Sequence, residues 1–365
     1  MSYQWCSAVV LVLWSSLTHF ACTASPQISK ELKLNQIQII GSHNSYKKPI
    51  EDTLLALLEI QNPALAMSLD YGHIPLLEQL DLGLRNLEMD VFYDPEGSRY
   101  SEPLGLQMIS QQGLSPLAFD QNDELSKPGL KMFHVQDIDF RSHHLIFKDG
   151  LKVLKKWSDH NPEHMPIFIT INPKDETIPI PGFTEPLVFD KKALDSIDHE
   201  IREILGEKLI TPDAVRGNYS SLQQAIQCFG WPSLGESRGR FIVVLDHSDQ
   251  KMQRYIDGHP ALRNRAMFVN AKEDTADAAI FVINQAKKDE AKIRQLVNNG
   301  YIVRTRADAD TIQARNNDPS SFTAAKLSGA QIITTDYYVS DARSGTEYQV
   351  IFDNGSYSRA HPFLQ

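Results

Sequence analysis

The sequence predicts a single α/β domain closed into a (β/α)8 barrel, and three observations predict it. Short β-branched or apolar runs alternate with helical patterns, which is the signature of parallel strands joined by crossover helices. About eight such units fit within the 365 residues. No Gly-rich dinucleotide turn follows the first run, which counts against the alternative of an open doubly wound sheet.

The expected strands are Ile37-Gln38-Ile39-Ile40 and residues 86–92, 131–135, 166–171, 240–245, 266–270 (or 279–283), 301–304 and 331–334. Helical patterns occupy residues 51–61, 149–157, 191–205 and 289–298. The first stops at Asn62-Pro63, because a residue before proline is pushed out of the helical region. The last stops at Asn299-Gly300. Residues 98–129 and 173–189 lack periodicity and are expected as functional loops on the barrel rather than a second domain.

A 42% hydrophobic chain can bury one large core. The net charge of -10 counts against nucleic acid as a partner. At the N-terminus, residues 8–14 form a short apolar run followed by the small residues Cys22-Thr23-Ala24-Ser25. This order is that of an export signal, so residues 1–24 are expected as a signal peptide and 25–365 as a secreted or periplasmic catalytic domain. Lipid attachment at Cys22 is the alternative, although His19 stands where such a motif wants Leu. Cys228, in Ile226-Gln227-Cys228-Phe229, is expected as buried filler.

The chemistry-bearing residues fall at the ends of successive strand candidates. The first run leads into Gly41-Ser42-His43-Asn44-Ser45-Tyr46. The carboxyl ends of barrel strands face the active-site mouth. A capped turn with an incidental histidine is the plainer reading. The second run carries Glu88-Met89-Asp90. Residues two apart share a strand face, and two carboxylates held together need a cation or a proton between them. A solvent-facing acidic pair would be the alternative, but parallel strands are covered on both sides. His134 lies in the third run, and Asn172 and Lys174 end the fourth. Oxygen ligands from Asn44, Glu88 and Asp90 suit a hard cation such as calcium or magnesium better than zinc. Two histidines beside such a cation suit cleavage of a phosphodiester, one taking a proton and the other giving one.

In this order, His43-Asn44, Glu88-x-Asp90 and His134 resemble the catalytic residues of calcium-dependent phosphatidylinositol-specific phospholipases C, in particular their bacterial branch. The likeness continues through Gly300-Tyr301-Ile302-Val303-Arg304-Thr305-Arg306-Ala307-Asp308 and Thr335-Asp336-Tyr337-Tyr338. The resemblance implies a TIM-type barrel, Ca2+ held by Asn44, Glu88 and Asp90, a His43/His134 acid–base pair and a cyclic phosphodiester intermediate. The family usually has a carboxylate where this chain has Asn172, so a neutral fourth ligand is implied. Lys174 matches a phosphate-facing position. Arg304, Arg306, Tyr337 and Tyr338 are candidates for holding a phosphate or an inositol ring, with barrel packing as the other explanation. The implied partner is a phospholipid or other phosphodiester met at a transient membrane surface. The rival readings are a glycerophosphodiester phosphodiesterase and a weakened calcium- or head-group-binding protein. The first typically opens with His-Arg-Gly, unlike His43-Asn44-Ser45.

Overall fold

The computed structural model describes residues 28–247 and 250–364. The segment expected as a signal peptide, with Cys6 and Cys22, lies outside the described residues. Eight parallel strands form the barrel: β1 (Ile37–Ser42), β2 (Asn86–Val91), β3 (Ile167–Pro173), β4 (Phe241–Leu245), β5 (Phe268–Val269), β6 (Ile280–Val282), β7 (Ile302–Arg306) and β8 (Ile332–Thr335). They are hydrogen-bonded in the order β5-β4-β3-β2-β1-β8-β7-β6. A single parallel bridge, Asn270 to Ile280, joins the two ends and completes the ring. The fold is thus the TIM-type barrel expected from the sequence.

Every residue of β1, β2, β4 and β8 is buried, as helix-covered parallel strands require. The crossover helices pack through stripes at helical spacing. In Lys191–Leu205 the buried positions include Leu194, Ile197, Ile201 and Leu205, and the Asp190 carboxylate caps the first turn by accepting from Ala193 N–H. A short antiparallel strand, β9 (Ser358–Ala360), pairs with the beginning of β1, Ile37 opposite Ala360. It covers the edge of β1 that β2 does not reach. Farther along, β1 meets β2 at Gly41, where a Cβ would lie 2.5 Å from the Asn86 carbonyl oxygen. Glycine lets the strands close there, just before the His43 turn.

The strand expected at 131–135 is not one. Lys131 makes isolated bridges to Phe92 and Ile146, and Val135 makes one to Asp139. The chain reverses at Asp137, which has a positive φ of 70°. The apolar character of this run comes from a separate small cluster over the barrel, in which Phe133 stacks on Phe92 at 4.3 Å and meets Tyr100 edge-on. Both segments offered as alternatives for the sixth strand are strands, β5 and β6, so the total remains eight. The 98–129 segment carries the helix Leu104–Gln111, and Cys228 is exposed at a helix end rather than buried. Among the described residues no helix is long and apolar enough to cross a membrane.

Candidate active site

The residues at the carboxyl ends of β1, β2, β3, β4, β7 and β8 converge on one mouth. His43 leaves β1 with its backbone N–H on Thr335 and its Nδ1 2.9 Å from Asp336 Oδ1. Its Nε2 lies 3.5 Å from Glu88 Oε1 and 3.3 Å from Arg306 Nη1. Arg306 also pairs with Asp336 Oδ2 at 3.1 Å. Burial, reinforced by the Arg306 guanidinium, holds His43 below the usual imidazole range, against the pull of Asp336 and Glu88. Burial alone would push Asp336 up, yet His43 and Arg306 hold it below the usual carboxylate range. The chemical consequence is a neutral imidazole whose Nδ1–H is fixed by an ionised carboxylate, leaving Nε2 as a proton acceptor.

His134 is built differently and reaches a similar state of order. Its backbone N–H and that of Val135 both donate to the Asp139 carbonyl across the reverse turn. The turn brings the Asp139 carboxylate to the ring, Oδ2 2.7 Å from Nδ1. The buried Tyr71 ring lies 6.3 Å from His43 and 6.4 Å from His134, so the two histidines share one aromatic neighbour.

The acidic residues lie beside them. Glu88 accepts a charged hydrogen bond from Arg304 Nη2. Arg304 also donates to Asn284 at 2.8 Å and lies 3.5 Å from Asp246. Asp90 is buried, and neither of its carboxylate oxygens accepts a hydrogen bond; Lys174 approaches to 3.6 Å. Asn44 sits in the left-handed region (φ 48°) and donates from Nδ2 to the Tyr71 hydroxyl at 2.7 Å, leaving its buried Oδ1 without a partner. Asn172 stands opposite Asp90 in the β2–β3 register, and its Oδ1 is 2.9 Å from His247 Nε2.

The structure therefore gathers His43, Asn44, Glu88, Asp90, Asn172, Lys174 and Arg304 at one strand end, with His134 joined to them through their shared neighbour Tyr71. Tyr337 is not joined to them by a hydrogen bond or ion pair. It is buried, with its ring edge-on to Tyr348. Arg304 is engaged by Glu88, Asn284 and Asp246, while its buried Nε has no hydrogen-bond partner.

A family model for Ca2+-dependent phosphoinositide phospholipase C matches residues 32–362. The chain belongs to that family. This phospholipase is accordingly a phosphoric diester hydrolase, and calcium is its cofactor. Two solved structures share its fold. One is a calcium-dependent phosphoinositol-specific phospholipase C from a Pseudomonas species, in its myo-inositol complex: 16% identical, covering 91% of this chain and 96% of that one, with a TM-score of 0.52. The other is a Ca2+-dependent phosphatidylinositol-specific phospholipase C from Streptomyces antibioticus: 15% identical, covering 84% of this chain and 95% of that one, with a TM-score of 0.50. No curated protein matches the chain.

The side chains present fit a hard cation. Three buried oxygens, Asn44 Oδ1 and both oxygens of Asp90, accept no hydrogen bond, and a buried acceptor left that way is costly unless something fills it. Among the described residues no three His, Cys, Asp or Glu side chains are gathered into a ready metal cluster, so the set rests on an amide and two carboxylates, one of them shared with Arg304. Sequence reasoning missed Asp246, which follows β4 directly. Burial raises its carboxyl, Arg304 opposes this, and Asp90 adds to it, so the two acids sense each other. Asp246 thus brings a negative charge next to the strand where Asn172 brings none. Two changes test this layout. Asn172→Asp is expected to tighten calcium binding by about an order of magnitude, and Asp246→Asn to loosen it comparably, because ligand charge sets calcium affinity. Calorimetric titration of calcium reads both, and the Asn172→Asp gain should shrink with salt.

Proposed function

We propose that this phospholipase cleaves phosphatidylinositol-type phosphodiesters through a cyclic inositol phosphate, with His43 as general base and His134 as general acid. The observation that carries this is the matched construction of the two histidines. Each has Nδ1 on a buried carboxylate, at 2.9 and 2.7 Å, both rings neighbour Tyr71, and His43 lies beside Glu88.

His43 is assigned the base because burial and Arg306 keep it neutral. Its Nε2 takes the proton of a ring hydroxyl neighbouring the phosphate. That oxygen forms a new bond to phosphorus as the bond from phosphorus to the lipid oxygen breaks. His134 gives its proton to the departing oxygen, so the products are a diacylglycerol and a cyclic phosphodiester. Hydrolysis of the ring reverses the two roles. Asn44, Glu88 and Asp90 would hold calcium, with Asn172 completing the set. When bound, calcium polarises phosphoryl oxygens and lowers the pKa of a coordinated hydroxyl. Lys174 and Arg306 supply further positive charge for the phosphate.

The reading of a transient membrane surface is supported by the exposed apolar side chains Ile60, Leu117 and Val188, each more than half exposed on connections that leave the carboxyl ends of β1, β2 and β3. Secretion rests on the signal-like order of residues 1–24.

The test is to incubate the mature protein with phosphatidylinositol vesicles, with and without calcium, and follow phosphorus NMR. A soluble cyclic phosphate should appear first, then its hydrolysis product, and only with calcium. Absence of any soluble inositol phosphate would overturn the reading.

A further inference from the structure

Lys47 is among the largest fully buried side chains of the protein. A lysine is seldom buried without a specific partner. Its ammonium lies 3.3 Å from Asp139 Oδ1, 3.1 Å from the Leu69 carbonyl and 2.6 Å from the Tyr71 carbonyl. Two of its protons go to those carbonyls and its charge is paired with the Asp139 carboxylate, so it is engaged by the chain itself. It also sits over the Tyr71 ring at 4.5 Å. Asp139 uses its other oxygen on His134 Nδ1 at 2.7 Å. Both side chains of the Lys47–Asp139 pair are fully shielded from solvent.

We infer that Lys47 is a positioning residue for His134: it fixes the buried Asp139 carboxylate, and Asp139 accepts the Nδ1–H of His134, so that the proton on Nε2 is the one turned toward the leaving oxygen. The chemical reason is one of sign. A carboxylate with no access to water takes up a proton unless a cation stands beside it. A protonated Asp139 could donate to Nδ1 instead of accepting from it, and the ring could then not keep Nδ1–H on the carboxylate while Nε2 carries the proton it gives to the leaving oxygen. The same ammonium holds the carbonyl of Tyr71, whose ring neighbours both histidines and whose hydroxyl orients the Asn44 amide with Oδ1 free. One buried cation thereby sets the register of both halves of the site. Neither of its links touches the reacting atoms.

The inference rests on His134 acting as the acid, so the test includes a readout that does not. Three variants are compared with the wild type: Lys47→Met, Lys47→Arg and the double variant Lys47→Met/Asp139→Asn, which removes both buried charges together and protects against a misfolded single variant. Nitrogen-15 NMR of the His134 ring in the resting protein reports which nitrogen carries the proton. The wild type should show Nδ1–H. Lys47→Met should lose that preference and lower kcat about ten- to hundredfold, the range found when an outer partner of a functional histidine is removed, with KM little changed. Lys47→Arg should recover most of both. The double variant should fold with a wild-type melting profile and still show the kcat loss. If the double variant folds and keeps kcat within twofold with Nδ1–H intact, the inference is overturned. If the ring proton shifts while kcat holds, the positioning stands and the assignment of His134 as the acid fails.

Discussion

Replacing either His43 or His134 with Ala is expected to lower turnover on phosphatidylinositol by about 10²–10⁴-fold, the range for loss of an acid–base partner. Calcium affinity should change little, since neither imidazole is assigned as a ligand. The two variants should then part company. A substrate whose leaving group departs without a proton no longer needs the acid, so it should restore the His134→Ala variant and leave His43→Ala impaired. This division follows from the surroundings of His43, where burial and the neighbouring Arg306 keep the ring neutral near pH 7. The pH profile should be bell-shaped, with its acidic limb below the usual histidine range because His43 must lose its proton first. Arg306→Gln removes the nearby positive charge and should move that limb to higher pH. Near-normal turnover in both single Ala variants would show the mechanism to be wrong.

The second large effect is expected from the carboxylates. Glu88→Gln combined with Asp90→Asn should abolish both activity and the rise in melting temperature that calcium gives, since a ligand stabilises only the state that binds it. The Asp90→Asn half of this change also relieves a conflict within the metal-free protein, whereas Glu88→Gln gives up the ion pair with Arg304. Asp90 is buried with no hydrogen bond to either oxygen, so its neutral amide replacement should fold at least as well without calcium. Differential scanning calorimetry with and without calcium separates the two effects. A calcium-dependent shift that survives in this variant would remove Glu88 and Asp90 from the binding site.

Much of this site was legible from residues that repeat a local rule. Glu88 and Asp90 are two apart on a strand, and His43 and Asn44 follow a strand end; period and position alone bring them together. His134 was legible as a candidate residue, although its placement on a strand was an error. An apolar run reads alike whether it packs in the barrel or in a small cluster above it, as Phe133 does on Phe92. The partners were harder to see. Asp139 stands five residues beyond His134, and only the reversal at Asp137 turns its carboxylate back to the ring. Asp336 lies in the recognised Thr335-Asp336-Tyr337-Tyr338 stretch, yet its contact with His43 depends on β8 lying beside β1. Lys47 gave no signal at all, because nothing local to a lysine says whether it faces water. Tyr337 illustrates the opposite hazard: an aromatic in a motif can serve packing, here against Tyr348.

The pairing of β9 with β1 sets a condition on how the chain is made. Ile37, among the first described residues to leave the ribosome, takes Ala360, among the last, as its hydrogen-bonded neighbour. The other side of β1 is taken by β8, also late in the chain. The nascent strand therefore stays unsatisfied through almost the whole of translation, and closure of so long a loop makes the final step slow. A chain cut short after Thr335 would still contain every proposed ligand and both histidines. It would nonetheless present the bare edge of β1, and such an edge invites pairing between molecules and aggregation in place of a working barrel.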